Sequence, residues 1–221
     1  HQSGIDPDRI IFASRHTSKT ARPAMLIHTT GNWSDDATFG GDAYRLSQTS
    51  ALLQKAGFFS LNTRLKRAKL PTFRFDMEVT HHGPTNLRVP LVYMELGSSK
   101  KEWSVTKAGE IVGNAIVDTI FRYLNYIEMN EMKIGLGFGG THYAPNFKNV
   151  MELPNIALSF ICPKYYIQTL DKKMISQMID NTSEKIDFFI IDWKGTNSKD
   201  KKHLLPLLED FAIPVKKTKD F

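Results

Sequence analysis

The chain has 221 residues, 41% hydrophobic and 24% charged, with a formal net charge of +6; that balance suits a globular protein with an ordinary core, built as one domain or one compact body of two lobes. One cysteine, Cys162, excludes an intramolecular disulfide and a cysteine-based zinc site. No run reaches the ~18 apolar residues of a membrane span, no signal peptide is visible, and a reducing cytoplasm is the expected compartment.

Short apolar runs predict strands at "RIIFA" (9–13) and "AMLIH" (24–28). A helix follows over 50–69, ending in the basic cluster "RLKRAK". Strands are next expected at "FDMEV" (75–79) and "VPLVYMEL" (89–96). Over 104–124, Val105, Ala108, Ile111, Val112, Ala115, Ile116, Ile120 and Phe121 recur at three- and four-residue spacing, which predicts one buried helix face. "KIGLGF" (133–138) and "IALSFI" (156–161) read as strands, the second leading into Cys162 as a buried small hydrophobe. Residues 171–181 predict a helix capped by Asp171 that buries Met174, Ile175, Met178 and Ile179. "DFFIIDW" (187–193) is the last predicted strand. Residues 198–211 read as a helix that Pro206 kinks or restarts. Most strand runs are continuous rather than alternating, as for strands covered on both faces. Interleaved strands and helices predict an α/β protein, a three-layer α/β/α sandwich around a mostly parallel or mixed central sheet.

Histidine is placed unevenly. Five of the seven, His16, His28, His81, His82 and His142, fall at or just after predicted strand ends. Ligands in open α/β sheets bind outside the carboxyl ends of strands, so parallel strands would bring these residues to one edge. With Glu78 and Glu95 they offer a proton acceptor near neutral pH or a zinc-ligand set. His1 and His203 read as a terminal residue and a solvated helix residue. Gly135, Gly137 and Gly140 formally satisfy G-x-G-x-x-G, but a dinucleotide site needs a helix at the third glycine, and Pro145 resists one there. These glycines fit a close backbone approach to a ligand, or N–H groups offered to an oxyanion. The cation clusters 64–69, 199–202 and 216–219 each read alone as a solvated face; together they favour a nucleic acid partner.

The segments "SRHTSKTARP" (14–23), "HTTGN" (28–32), "EVTHHGPT" (78–85), "VYMELGSSKKEW" (92–103), "AGEIV" (108–112), "GFGGTHYAP" (137–145), "PKY" (163–165) and "DWKG" (192–195) together resemble the archaeal and plant type of D-aminoacyl-tRNA deacylase. The resemblance runs from Ile11 to Gly195, and "THHGPT" with "GGTHYAP" carries most of its specificity. It implies a phosphorylase/hydrolase-like α/β/α fold, zinc as cofactor, and hydrolysis of the ester joining a D-amino acid to tRNA by a monomer. The family's N-terminal strand-helix unit is not found before Ile11, and the connection after "GNWSDDATFGG" is short.

On that reading the catalytic candidates are His81, His82, Glu78, His142 and Thr80. His81 or His82 activates water, as general base or through zinc, and Glu78 orients an imidazole or ligates the metal. The metal-ligand candidates are His16, His28, His81, His82, His142, Glu78 and Glu95. Backbone N–H groups of Gly139, Gly140 and Thr141 are expected to hold the oxyanion, and the same glycines to press against the substrate Cα and reject the L isomer. Asn32 faces the substrate, while Arg15, Lys19, Lys164, Arg64, Lys66 and Arg67 meet tRNA phosphates. Two rivals stand beside it: a zinc-dependent peptidase or amidohydrolase, which would use the same histidines and carboxylates, and a tRNA-binding module without catalysis, which would use the basic clusters and leave the gathering of histidines unexplained.

Overall fold

Continuous apolar runs and 3.6-residue periodicity resolve into ten strands and six α-helices in the computed structural model, which describes residues 4–221 and leaves His1 outside. In chain order these are β1 (Ile10–Thr17), β2 (Ala24–His28), β3 (Gly31–Asn32), β4 (Arg45–Leu46), α1 (Ala51–Ala68), β5 (Arg74–Met77), β6 (Leu91–Ser98), α2 (Lys100–Trp103), α3 (Thr106–Met129), β7 (Lys133–Phe138), α4 (Pro145–Glu152), β8 (Ile156–Cys162), α5 (Lys172–Asp180), β9 (Phe188–Ile191), α6 (Ser198–Glu209) and β10 (Val215–Lys217). Short 3-10 segments cover Lys164–Thr169 and Thr218–Asp220.

The central layer is mostly parallel, as expected, but it is divided. One four-stranded sheet has the order β1-β6-β2-β5 and the other β10-β9-β7-β8. Within them only β2 and β6 run antiparallel. The sheets meet where the chain leaves β5. There Thr80 N–H donates to the Ile161 carbonyl of β8 at 3.0 Å, Ile161 N–H donates to Thr80 Oγ1 at 3.0 Å, and Val79 N–H donates to the His142 carbonyl at 2.9 Å.

Helices α1, α3 and α4 share a core with Met25, Ile27, Met94, Leu158 and Ile190. Met174, Met178, Leu204 and Leu208 of α5 and α6 pack on Leu136, Phe138, Phe160 and Phe189. Helices thus flank the sheet layer on two sides, which is the three-layer arrangement. Cys162 is fully buried, as expected. Ser50 caps α1 by accepting from Leu53 N–H, and Asp171 caps α5 by accepting from Met174 N–H.

Three local expectations change. Helix α3 buries Ala108, Ile111, Val112, Ala115, Thr119 and Tyr123, while Ile120 and Phe121 are 50% and 65% exposed. The stripe follows the helical period onto two polar side chains, and Thr119 Oγ–H is satisfied by the Ala115 carbonyl at 2.7 Å. Pro145 does not resist a helix; it is the first residue of α4, where the missing N–H costs nothing. Pro206 lies within a continuous α6 whose Leu204 and Leu208 are buried on either side of it.

Candidate active site

Pleating decides which side chains of the first sheet meet. On β6, Met94 and Leu96 face the helices, and Tyr93, Glu95 and Gly97 face the other way. Register places Ser14 of β1 opposite Glu95, His16 opposite Gly97, and His28 of β2 opposite Tyr93. His16 and His28 therefore flank Glu95 on one sheet face. Their strands run antiparallel, so convergence comes from register across β6 rather than from a shared carboxyl edge. Gly97 is required for this: a Cβ there would lie 2.8 Å from the His16 Cβ.

The remaining members arrive at the seam. Glu78, His81 and His82 follow β5, and His142 follows β7. His142 Nε2–H donates to Glu78 Oε1 at 2.9 Å. Glu78 Oε2 lies 3.7 Å from His16 Nδ1 and 3.9 Å from His81 Nε2. Glu95 Oε2 lies 3.4 Å from His16 Nδ1 and 3.7 Å from His28 Nε2. The rings of His28 and His81 stand 4.2 Å apart, and those of His81 and His142 4.8 Å apart. A cleft of about 480 Å³ opens over this cluster, with Arg15, Phe39 and Tyr93 on its wall.

Backbone carbonyls select the tautomers. Nδ1–H of His28 donates to the Thr29 carbonyl, that of His81 to Val79 and that of His82 to Gly83, at 3.0, 2.7 and 2.6 Å. That leaves Nε2 of each ring with a free lone pair, and the three rings bring one nitrogen each within 4.8 Å of the others. Glu78 with His81 and His142, and His16 with Glu78 and Glu95, form two further sets of the same compactness. His16 Nε2, His28 Nε2 and Glu78 Oε2 are buried without a hydrogen-bond partner. Converging imidazole nitrogens and carboxylates, with second nitrogens held by carbonyls and buried atoms left over, fit a nitrogen- and oxygen-ligated ion such as zinc.

Electrostatics divides the histidines. Burial pushes His81 well below its usual pKa, and repulsion from His28, His82 and His142 adds to this. Burial, then His28, lowers His82. Both imidazoles are therefore neutral at pH 7 and offer lone pairs. Burial opposes charge on His16 and His28, but attraction to the neighbouring Glu95 and Glu78 carboxylates outweighs it, and both are raised. Burial opposes charge on Glu95, but the imidazoles of His16 and His28 and the Ser14 hydroxyl around it outweigh that cost, and its carboxyl is held well below the usual range. Tyr165, pushed up to about 12 chiefly by burial, keeps its proton and places its hydroxyl 3.4 Å from His142 Nδ1.

The cluster thus joins all five strand-end histidines with Glu78 and Glu95. Other candidates lie elsewhere. Thr80 is buried at the seam, bonded to Thr29 Oγ1 and Ile161 N. Asn32 is turned inward, donating to the Gly40 and Asp42 carbonyls and so holding the loop that carries Phe39. Gly139 N–H is used by the Cys162 carbonyl, and side chains at Gly139 or Gly140 would face Thr196 or Asp192 rather than the cleft. Thr141 is exposed beside them. Arg15 is on the cleft wall with its guanidinium over Trp103, Lys19 is exposed beyond the end of β1, and Lys164 is exposed next to Gly140. Arg64 is neutralised by Asp118 through two hydrogen bonds of 2.5 and 2.7 Å. Lys66 and Arg67 share that end of α1, which adjoins the start of β5 rather than the Glu78 end. His203 is half-buried, bonded to the Leu170 carbonyl at 2.8 Å, rather than solvated. Tyr93 and Tyr165 were not singled out from sequence. Tyr93 carried a signal, since it stands two residues before Glu95 on one strand and must share its face.

Residues 3–216 match the family model described as D-aminoacyl-tRNA deacylase. The chain is 35% identical over 216 residues to the D-aminoacyl-tRNA deacylase of Thermococcus onnurineus, covering 96% of this chain and 75% of that protein. It is 34% identical over 213 residues to the D-aminoacyl-tRNA deacylase of Methanocaldococcus jannaschii, covering 93% and 80%. The crystal structure of a conserved protein of unknown function superposes with a TM-score of 0.87 at 34% identity, over 99% of this chain and 74% of that one.

Proposed function

This chain belongs to the D-aminoacyl-tRNA deacylase family, and from that premise we propose that its histidine-carboxylate cleft hydrolyses the ester between a D-amino acid and the terminal ribose of tRNA. Water is consumed, and free D-amino acid and tRNA are released. The observation that carries this is the convergence of five imidazoles and two carboxylates under an open cleft, with their ring nitrogens aimed by backbone carbonyls.

Zinc is the proposed cofactor, and Nε2 of His28, His81 and His82 would hold it, binding releasing the proton that Glu95 and Glu78 favour on His28. Bound there, it would supply Lewis acidity and lower the pKa of a coordinated water. The chain's own groups do the rest. Glu78 accepts the Nε2 proton of His142, which leaves Nδ1 of that ring as the acceptor for the proton of the attacking water. The Tyr165 hydroxyl stands 3.4 Å from that nitrogen, loosely enough to leave its lone pair to the water. The protonated imidazole then returns its proton to the departing ribose oxygen. Arg15, on the cleft wall, is placed to meet a phosphate of the tRNA 3′ end. Every group in this scheme comes from one chain, so a monomer suffices. No helix among the described residues is long and apolar enough to cross a membrane, and the cytoplasm, where tRNA is charged, is the proposed place of action.

Release of amino acid from D-tyrosyl-tRNA and L-tyrosyl-tRNA is the direct test. Rapid hydrolysis of the D ester with the L ester spared is expected. Equal rates on the two, or cleavage of peptides with no response to either ester, would refute the reading.

A further inference from the structure

The run "RLKRAK" is the densest cation cluster in the sequence, yet the fold turns it away from the cleft and pairs Arg64 with Asp118. A different basic surface is assembled from distant segments. Trp193 follows β9, with Lys194 next to it. Parallel pairing of β10 with β9 places Lys217 opposite Ile191, and α6 contributes Lys201. Lys201 Nζ stands 4.5 Å and Lys217 Nζ 4.4 Å from the centroid of the Trp193 ring. Two ammonium groups on one indole repel each other, and neither has a carboxylate partner among the described residues. Lysines 133, 148 and 172, by contrast, each have one.

A shallow cavity of about 290 Å³ adjoins the indole, lined by Lys194, Lys219, Asn146 and Asp192 among others. Its acid is spoken for: Asp192 is buried, and Oδ1 accepts from Gly195 N–H at 3.0 Å. Asp220 is likewise turned to the Lys217 backbone N–H at 2.7 Å. Asp192 is thus withdrawn from the surface, and the four ammonium groups of Lys194, Lys201, Lys217 and Lys219 face a single exposed carboxylate, Asp220, among the groups named.

This surface is one backbone layer from the catalytic loop. Asp192 N–H donates to the Phe138 carbonyl at 2.9 Å, and a Cβ on Gly195 would lie 3.1 Å from the Gly140 Cα. His142 follows Gly140 by two residues, and Asn146 lies on α4, which starts three residues after it. Lys164, whose N–H bonds to the Gly140 carbonyl at 3.0 Å, is exposed beside the same loop.

We propose that the Trp193 surface, carrying Lys194, Lys201, Lys217 and Lys219, is where the sugar-phosphate backbone of the acceptor arm docks, so that the 3′ end reaches the histidine cleft. This rests on the reading of the cleft as a D-aminoacyl-tRNA hydrolase. Point charges on flexible stems suit successive phosphates, and binding releases counterions from the RNA.

Two kinds of measurement test it, using the Lys201→Gln/Lys217→Gln double variant and a Lys66→Gln/Arg67→Gln control. Affinity for uncharged tRNA is followed against salt, and hydrolysis is compared on D-tyrosyl-tRNA and on D-tyrosyl-adenosine, which has no phosphates. Loss of the two lysines should flatten the log-log salt slope by about 1.5, at ~0.7–0.9 per phosphate contact. It should also raise KM for D-tyrosyl-tRNA about tenfold, leaving kcat and D-tyrosyl-adenosine hydrolysis unchanged. The control pair should leave the slope as it is. An unchanged slope in the lysine variant, or an equal loss on both substrates, overturns the proposal. If the parent protein cleaves neither ester, the catalytic reading fails instead, while the tRNA-binding arm still decides the docking surface.

Discussion

At the scale of single residues, the proposed chemistry rests on which ring nitrogen each histidine exposes. His28, His81 and His82 have their Nδ1 protons fixed by carbonyls, whereas His142 is fixed at Nε2 by Glu78. This difference separates proposed ligands from the proposed base. His142→Ala should lower kcat by ~10²–10⁴-fold, the usual effect of losing a general base. Zinc content and tRNA affinity should stay at parent levels. Single-turnover kinetics with metal analysis checks this, and an unchanged rate would move the base elsewhere. His28→Ala should do the opposite in one respect. Its ring is fully buried and touches no solvent, so loss of bound zinc is its expected first effect. Protein purified without a histidine tag should contain close to one zinc per chain in the parent and much less in the variant. Equal zinc in both would exclude the His28 set as the site.

At the scale of elements, α3 shows how a helix can carry more apolar residues than its neighbours bury. Ile111 is 6% exposed and belongs to the main core, while Ile120 is 50% exposed. Ile111→Ala should therefore destabilise the protein by about 2–4 kcal/mol, through lost burial and a residual cavity. Ile120→Ala should fall within about 0.5 kcal/mol of the parent. Urea unfolding of the two variants distinguishes them, and equal losses would mean that the outer stripe of α3 is covered. The turn joining β7 to α4 is built on another constraint. Gly139 has φ +98° and no room for a Cβ, which would meet Thr196 Oγ1 at 2.1 Å. It holds the 192–196 turn close against the loop that carries His142.

At the scale of the whole molecule, one buried amine links distant layers. Lys55 of α1 is fully buried, and its Nζ donates to the Met151 and Leu153 carbonyls at the end of α4, both at 2.5 Å. Burial pushes its pKa down from 10.5 to about 7. Across that window the unfolded chain holds a proton that the folded chain releases, so stability rises with pH. The gain amounts to about 1 kcal/mol per pH unit, as 1.4 kcal/mol corresponds to one full unit of pKa. It should disappear in Lys55→Met, whose side chain cannot titrate. Unfolding of parent and variant at pH about 7 and about 9 measures it, and parallel pH dependence would show that Lys55 stays charged when folded.

Much of this protein is local and so was legible in its sequence. Strands 24–28 and 133–138 are bounded as the apolar runs predicted, and Asp171 caps α5, because a short apolar run or a cap depends on near neighbours. The unequal placement of histidine, with "THHGPT" and "GGTHYAP", singled out both the cleft and the family. What lay beyond reach depends on residues far apart in the chain. That β2 runs antiparallel to β6, centring the cluster on Glu95, is a matter of register, which no single segment contains. That Arg64 is neutralised depends on Asp118, 54 residues away, and the Trp193 surface depends on β10 pairing beside β9. The sequence determined which side chains were present and which elements held them. Only the tertiary structure decided which charges were matched and which were left facing solvent, because Coulomb and hydrogen-bond energies depend on distances that folding alone sets.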